Sequence, residues 1–93
     1  MSKKDDFKPA RHIKTIEGWR GDAALYELSE PFDGHSKVVV SSVYAPFSGN
    51  ETLIFPWDEK ENTVTNFLEL DGIRGELSHK NALAKIGFYI EDA

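Results

Sequence analysis

The stretch Val38–Leu70, VVVSSVYAPFSGNETLIFPWDEKENTVTNFLEL, decides the fold because it divides into three short apolar runs separated by turn-forming residues. The runs are rich in β-branched and aromatic residues, which is typical of strands. Pro46, Gly49 and Asn50 lie between the first two runs, and the charged residues 58–62 lie between the second and the third. Proline, glycine and asparagine favour hairpin turns. The sequence therefore predicts three consecutive antiparallel strands at the centre of the chain.

The second run, residues 51–57, places Leu53, Phe55 and Trp57 on one face of its strand. Three large apolar side chains on one face must be covered by something. Pro56 cannot donate to a strand ladder, so the strand leaves the ladder there or turns its donor side to solvent. In the third run the alternation is broken around residues 66–67, which predicts a bulge.

Another main strand is predicted over Ala23–Leu28, where Ala24, Tyr26 and Leu28 share a face. Residues 12–16 before it are compatible with a further short strand, and the turn-forming residues 30–34 close it. Strands with short connections usually pair as neighbours, so we expect an antiparallel sheet in chain order.

The period of the apolar residues changes from about two to about 3.6 after Gly75. Ser78 is placed to cap a helix over His79–Ile86, and Gly87 follows it as a C-terminal cap. A helix of this length is not stable alone, so it must pack on the sheet. We therefore expect an α+β domain with an antiparallel meander of four or five strands and one short C-terminal helix on one face.

Composition and charge set further limits. The chain has 93 residues, a net charge of −5 and no cysteine, so a disulfide framework and a thiolate metal site are excluded. We interpret residues 1–10 as a flexible basic arm and residues 11–93 as a single domain. Residues 1–14 carry a net charge of +3 and the remainder −8, and so acidic a body argues against nucleic-acid binding. No apolar run is long enough to span a membrane, and we expect a cytoplasmic protein.

No motif points to catalysis, a cofactor or a metal. His12, His35 and His79 have no short-spaced partner, and His79 is expected to be solvated or to neighbour the helix cap. The acidic residues of the 58–62 turn lack calcium-loop spacing, and the serines lie in no nucleophile elbow. Arg20, Gly21 and Asp22 spell an adhesion tripeptide, but a turn is the better interpretation. These observations favour a non-enzymatic protein over a small enzyme.

Aromatic residues are the more informative set. Ten of the eleven, all but Phe7, are spread over residues 19–89, and some fall at loop margins, where they either close the ends of the core or anchor a partner. One short helix would also leave apolar sheet surface exposed, with Leu53, Phe55 and Trp57 as the surplus. The predicted partner-binding residues are Phe47, Phe55, Trp57, Arg74 and His79.

A Phe-Pro segment, an acidic hairpin, a Leu-Asp-Gly turn and a helix opening near a histidine follow one another in the chain. The residues of this pattern are Glu51, Thr52, Leu53, Ile54, Phe55, Pro56, Asp58, Val64, Glu69, Leu70, Asp71, Gly72, Gly75, His79, Ala82 and Leu83. The pattern resembles a family of small proteins of unassigned function from actinobacteria and from the phages that infect them. The resemblance covers roughly the last two thirds of the chain. Trp57 and the longer hairpin tip at residues 60–62 depart from the family pattern. The resemblance implies a bacterial or phage cytoplasmic setting and no activity.

The leading hypothesis is a small interaction protein, a phage accessory factor that binds and modulates a host protein, or a homodimer. Three rivals remain open. An acidic nucleic-acid mimic would array carboxylates along one surface. A small enzyme or ligand-binding domain would need a polar pocket around His79, Arg74 and Glu76. A direct nucleic-acid binder would depend on the basic arm.

Overall fold

The computed structural model describes residues 7–18, 21–47, 49–64 and 69–91. Over these ranges the chain forms a sheet of seven strands with one short helix. The elements are β1 (Lys8–Ile16), β2 (Asp22–Phe32), β3 (His35–Ala45), β4 (Gly49–Asp58), β5 (Thr63–Val64), β6 (Asp71–Arg74), α1 (His79–Lys85) and β7 (Phe88–Glu91). The α+β class is therefore confirmed.

Strands β1 to β5 pair as antiparallel neighbours in chain order, so the predicted meander is present. The prediction of four or five antiparallel strands is wrong, because the sheet has seven strands and is mixed. Strand β6 joins the same edge of β4 as β5, and β7 pairs in parallel with β1 at the opposite edge of the sheet. The chain crosses from one edge to the other through α1, as a connection between strands that run in the same direction requires.

Strand β1 begins at Lys8, two residues before the predicted end of the flexible arm. Its start is fixed by β7, since the Lys8 amide donates to the Gly87 carbonyl at 3.0 Å. Ala10 is fully buried against the core. The boundary between arm and domain that we predicted at residue 10 therefore falls inside a strand, while residues 1–6 lie outside the described residues.

The predicted hairpin turns are confirmed. Asp33 and Gly34 both have positive φ between β2 and β3, and Asn62 has φ 54° between β4 and β5. In the latter turn a side-chain oxygen of Asp58 accepts from the amides of Lys60 and Glu61 at 3.0 and 3.1 Å. The bulge predicted around residues 66–67 lies outside the described residues. A register shift occurs instead in β1, between His12 and Lys14.

The core lies on both faces of the sheet. On the face that α1 covers, Tyr26, Val38, Val40 and Ile54 pack with Leu83 of the helix. We call this the helix face. The opposite face, which we call the second face, buries a smaller cluster, Ala23, Leu25, Val39 and Trp57, with Ile16 and Val64 packed against it. The alternation of β4 is thus as predicted, with Ile54 on one face and Trp57 on the other.

The surplus of exposed apolar surface expected on β4 is absent. Leu53 and Trp57 are each 9% exposed and Phe55 is 4% exposed, so all three are buried. Trp57 is enclosed because its strand partner is Val64, while the ammonium group of Lys14 from β1 lies 5.3 Å from the centre of its ring. Phe55 and Trp57 are therefore core residues, and the expectation that they present a binding surface is corrected.

The helix has the predicted caps. The Ser78 hydroxyl accepts from the Asn81 amide at 3.0 Å, Ile86 is the C-terminal cap, and Gly87 has φ 92°. At its end, the Lys85 ammonium bonds the Gly72 carbonyl at 2.8 Å and lies 3.0 Å from Asp71. Partial burial acts to raise the pKa of the Asp71 carboxyl, but the hydrogen bonds from Lys85 and from the Gly72 amide outweigh it and lower that pKa. The helix is thus tied to β6 at its C-terminus.

Candidate functional site

His79 is the predicted site residue with the most contacts. It opens α1 over the helix face, where its Nδ1 lies 2.9 Å from the Tyr26 hydroxyl and its Nε2 lies 2.8 Å from the Asp22 carbonyl oxygen. Its side chain is only 14% exposed. Of the two alternatives predicted for His79, solvation is wrong because the first turn of α1 lies directly against β2, and a position next to the helix cap is confirmed because His79 follows the N-cap Ser78.

The two contacts indicate which ring nitrogen of a neutral His79 carries the hydrogen. A carbonyl oxygen can only accept, so Nε2 of His79 carries the hydrogen in the neutral ring, and Nδ1 then accepts from the Tyr26 hydroxyl. Burial, with a smaller contribution from the charge of Asp22, raises the pKa of Tyr26 to about 12. The phenol is therefore protonated at neutral pH, and both nitrogens of His79 are occupied. The pair therefore joins α1 to β2.

His12 completes an aromatic row that sequence spacing did not reveal. Its ring meets the Tyr26 ring edge to face at a centroid distance of 5.5 Å, and His79 does so from 5.8 Å. His12 is the strand partner of Tyr26 in β1, so the signal was the register between the two strands. In the part of the chain that the structure describes, no three His, Asp or Glu side chains come together as metal ligands.

Thr52 of β4 holds the start of the helix through two hydrogen bonds. Its buried hydroxyl donates to the Glu76 carbonyl at 2.8 Å and accepts from the Ser78 amide at 3.0 Å. The Ser42 hydroxyl lies 3.1 Å away, and since the Thr52 proton is already used, Ser42 is the donor in that contact. This buried hydroxyl pair was missed from sequence, because Ser42 and Thr52 come together only through the pairing of β3 with β4.

The three residues of the hypothetical polar pocket have different partners. Arg74 lies 3.6 Å from Glu51, Glu76 accepts from the Asn81 side chain at 2.6 Å, and His79 is held by Tyr26. Each of the three side chains is therefore held by a different residue of the chain.

Clefts occur elsewhere, and two ion pairs lie in their walls. Two clefts of about 410 and 390 Å³ flank Trp57, and one of about 360 Å³ lies beside Arg11 and Glu27. In these clefts Lys37 pairs with Glu59 at 2.6 Å, and Arg11 pairs with Glu27 at 2.5 Å. The Lys37 hydrogen bond lowers the pKa of Glu59 and outweighs desolvation, which acts to raise it.

These charges form a row across the open part of the second face. Arg11 is the strand partner of both Glu91 and Glu27, Glu27 is the partner of Lys37, and Lys37 reaches Glu59. Successive side chains in the row thus alternate in sign. Opposite charges on neighbouring strands attract, so this row stabilises itself and keeps that part of the sheet polar.

Exposed apolar and cationic side chains gather at one end of the sheet, around the β3–β4 turn. Phe47 is 102% exposed in that turn, and Tyr44 and Leu77 are also exposed. The Arg74 side chain is 84% exposed and belongs to the same end, since Arg74 pairs with Glu51 and the next residue, Gly75, donates to the Asn50 carbonyl at 2.7 Å. We call Tyr44, Phe47, Arg74 and Leu77 the hairpin end. Of the predicted partner-binding residues, only Phe47 and Arg74 lie there.

One buried polar atom lies close to the hairpin end. Asn50, the strand partner of Tyr44, has its side-chain oxygen buried, and within the described ranges that atom has no hydrogen-bond partner. It lies below the exposed side chains and is closed to solvent, so it is not itself a contact point.

The adhesion tripeptide lies only partly within the described residues, because residues 19 and 20 are outside them. Gly21 has φ 60° and lies against the backbone of Ser42, and Asp22 already belongs to β2. The turn predicted over residues 18–22 is therefore seen only in part, and it ends before Asp22.

Comparison with protein-family models, with curated proteins and with solved structures gives no match to this chain. Among the described residues, no helix has the length and apolar character needed to cross a bilayer.

Proposed function

We propose that this chain is a small non-enzymatic protein that binds another protein through the hairpin end. The observation that carries the proposal is Phe47, whose side chain is 102% exposed at the tip of the β3–β4 turn. An aromatic side chain in water gains nothing for the fold, whereas burial in a partner makes it a strong anchor.

The position of the other exposed apolar groups supports this surface. Five large apolar side chains of the described residues are exposed, and three of them, Tyr44, Phe47 and Leu77, belong to the hairpin end. The other two, Ile13 and Tyr89, lie on β1 and β7. Phenylalanine, tyrosine and arginine are also the residue types enriched in protein interfaces.

The setting we propose is the cytoplasm of an actinobacterium, with a host protein as the partner and a phage accessory factor as the role. This part rests on the resemblance of residues 51–83 to small proteins of actinobacteria and their phages. A protein that only occupies a surface of its partner modulates it by exclusion, which needs no catalytic group on this chain.

The nucleic-acid mimic has less support than this proposal. A mimic needs rows of free carboxylates, whereas the charge row on the second face alternates in sign, and five of the thirteen carboxylates in the described ranges are paired with lysine or arginine. These are Glu27, Glu30, Glu51, Glu59 and Asp71. A ligand-binding pocket at the helix start has less support still, because His79 and Glu76 are already hydrogen bonded within the chain.

The test uses a photocrosslinker to find the partner and affinity to assign the surface. Purified chain carrying p-benzoylphenylalanine at position 47, or at position 89 as a control, is irradiated in actinobacterial lysate. A protein crosslinked only from position 47 is then purified, and its binding to the unlabelled chain is measured by calorimetry. Phe47→Ala should weaken that binding at least about 30-fold, as the loss of a central anchor does.

The matched control is Tyr89→Ala, which removes a partly exposed aromatic side chain from β7 and should leave the affinity unchanged. Equal binding by both variants and the original chain would assign the interaction to another surface. Crosslinks that are identical from positions 47 and 89 would refute the hairpin end as a specific binding site.

A further inference from the structure

We infer that the partner receives the hairpin end in a groove whose wall facing Arg74 carries carboxylates. The inference rests on the proposed function and adds the shape and the charge of the partner surface.

The shape follows from the sheet. Tyr44 has the same strand parity as Val40 and Ser42, so it lies on the helix face. Leu77 lies between Glu76 and Ser78, which bond Thr52 on that same face. Arg74 is instead the partner of Glu51, which shares the second face with Leu53. Phe47 lies at the tip between these two faces. A flat surface cannot touch both faces of a sheet and its tip, so the partner must be concave.

The charge follows from the unequal exposure of one ion pair. Arg74 and Glu51 are 3.6 Å apart, but the arginine side chain is 84% exposed and the glutamate side chain only 20%. Of the two charges in this pair, the one that reaches solvent is therefore positive, although the chain as a whole carries −5. An arginine that is held at its base and open at its outer side is suited to a carboxylate, which it can bind through two parallel hydrogen bonds.

A second copy of this chain is a poor occupant. Aromatic side chains bury about 150–250 Å² each, so two hairpin ends meeting tip to tip would bury on the order of 400 Å² per copy. A stable interface of standard size needs about 800 Å² per partner. Tip-to-tip contact therefore falls short of that area, whereas a groove adds the two faces of the hairpin end to the contact of its tip.

The experiment uses the protein crosslinked from position 47, in purified form, as the probe. Affinity is measured at about 50 and 500 mM salt for the original chain, Arg74→Gln and Arg74→Glu. We expect a loss of about 5-fold for Arg74→Gln and about 50-fold for Arg74→Glu at low salt, with both losses much smaller at high salt. Glu51→Gln should tighten binding, because it releases Arg74 from its internal partner. Tyr44→Ala should weaken binding as well, since it tests contact with the other face.

Lys60→Glu is the matched control, because it makes the same charge reversal in the β4–β5 turn, away from the hairpin end. Equal losses in Lys60→Glu and Arg74→Glu would show a general charge effect and would overturn the inference. If Phe47→Ala abolishes binding but the Arg74 variants bind normally, the acidic groove is wrong and the proposed function stands. A dimer of the purified chain that Phe47→Ala dissociates, seen by light scattering, would replace the groove with a second copy.

Discussion

The Tyr26 hydroxyl donates a hydrogen bond of 2.9 Å to Nδ1 of His79, across 53 positions of the chain. This bond joins the middle of the sheet to the first turn of α1. The other ring nitrogen of His79 donates to the Asp22 carbonyl at 2.8 Å, so the imidazole bridges two points of β2. The helix has only seven residues, and such a helix depends on contacts of this kind.

Removing the Tyr26 hydroxyl should therefore destabilise the fold. Tyr26→Phe keeps the ring and leaves Nδ1 of His79 without a donor, so we expect the free energy of unfolding to fall by about 1–2 kcal/mol. Urea denaturation followed by circular dichroism measures it. Tyr44→Phe removes a hydroxyl from an exposed tyrosine and should change stability by less than about 0.5 kcal/mol. Equal effects in the two variants would contradict the bridging role of His79.

Tyr26 should also make the stability of the fold depend on pH in the alkaline range. Its pKa is raised from 10.0 to about 12, so the folded state holds the phenolic proton more tightly than the unfolded state. The stability that this contributes is complete below pH 10 and is lost as the pH rises from about 10 to 12. The loss over that range is on the order of 2 kcal/mol. Denaturation midpoints of the original chain should fall more steeply there than those of Tyr26→Phe. Parallel pH profiles for the two would contradict the assignment.

Thr52→Val tests how the helix start is anchored. Valine has nearly the same shape, but it leaves the Glu76 carbonyl and the Ser78 amide without their partner. A cost of about 2–3 kcal/mol is expected, because buried polar groups that lose a partner keep their desolvation penalty. The control is Thr63→Val at an exposed position of β5, which should have almost no effect. Thermal unfolding that shows equal midpoints for the two variants would count against the hydrogen bonds of Thr52.

Comparing Gly21→Ala with Gly34→Ala separates the cost of a steric overlap from the cost of backbone strain. Both glycines have positive φ, 60° and 84°, so alanine costs about 1 kcal/mol at either position through the backbone alone. A Cβ on Gly21 would also overlap the carbonyl oxygen of Ser42, whereas one on Gly34 would meet open space. We expect Gly21→Ala to be the more destabilising by at least about 1–2 kcal/mol. Denaturant titration of the pair decides it, and similar midpoints would mean that β3 yields without cost.

Trp57→Ala should lower the stability of the fold, whereas Phe47→Ala should weaken partner binding and leave the stability nearly unchanged. Trp57 is 9% exposed and packs in the core of the second face, so its loss should cost about 3–5 kcal/mol. Phe47 contacts solvent and should cost less than about 0.5 kcal/mol. Loss of partner binding in Trp57→Ala would therefore report unfolding, whereas loss in Phe47→Ala would report the surface. Chemical denaturation and the binding assay, run on both variants, check the two halves.

The strands that were predicted correctly are those with long alternating runs. Residues 38–45 and 51–57 show their faces in the sequence, and the helix over His79–Lys85 shows its caps. Strand β5 lies at the start of the third predicted run. Strand β6 begins at a predicted break, Asp71, and its four residues are too short a run for a period to appear, so the strand count was underestimated. No local sequence pattern indicates the parallel pairing of β7 with β1, because that pairing depends on the position at which the chain leaves α1.

The predicted site residues also divide into those whose position follows from local sequence and those whose burial depends on the rest of the fold. Phe47 was expected at a loop margin and is exposed there, since a turn between two strands projects from a sheet. Phe55 and Trp57 were placed on the correct face, but a face pattern does not say whether the rest of the chain covers that face. Tyr44 was assigned to the central strand, and its exposure follows from its position one rung below the open turn.

The sequence by itself determined the meander, the caps of α1 and the acidic body, because each follows from neighbouring residues through periodicity, turn chemistry or charge. Only the tertiary structure decided which residues of these elements contact one another. It buried Trp57 under Lys14, turned His79 from solvent to Tyr26, and brought Arg74 beside the turn that carries Phe47. These contacts join residues far apart in the chain, and strand register and the crossing of α1 set them through packing of the whole sheet rather than through any local pattern.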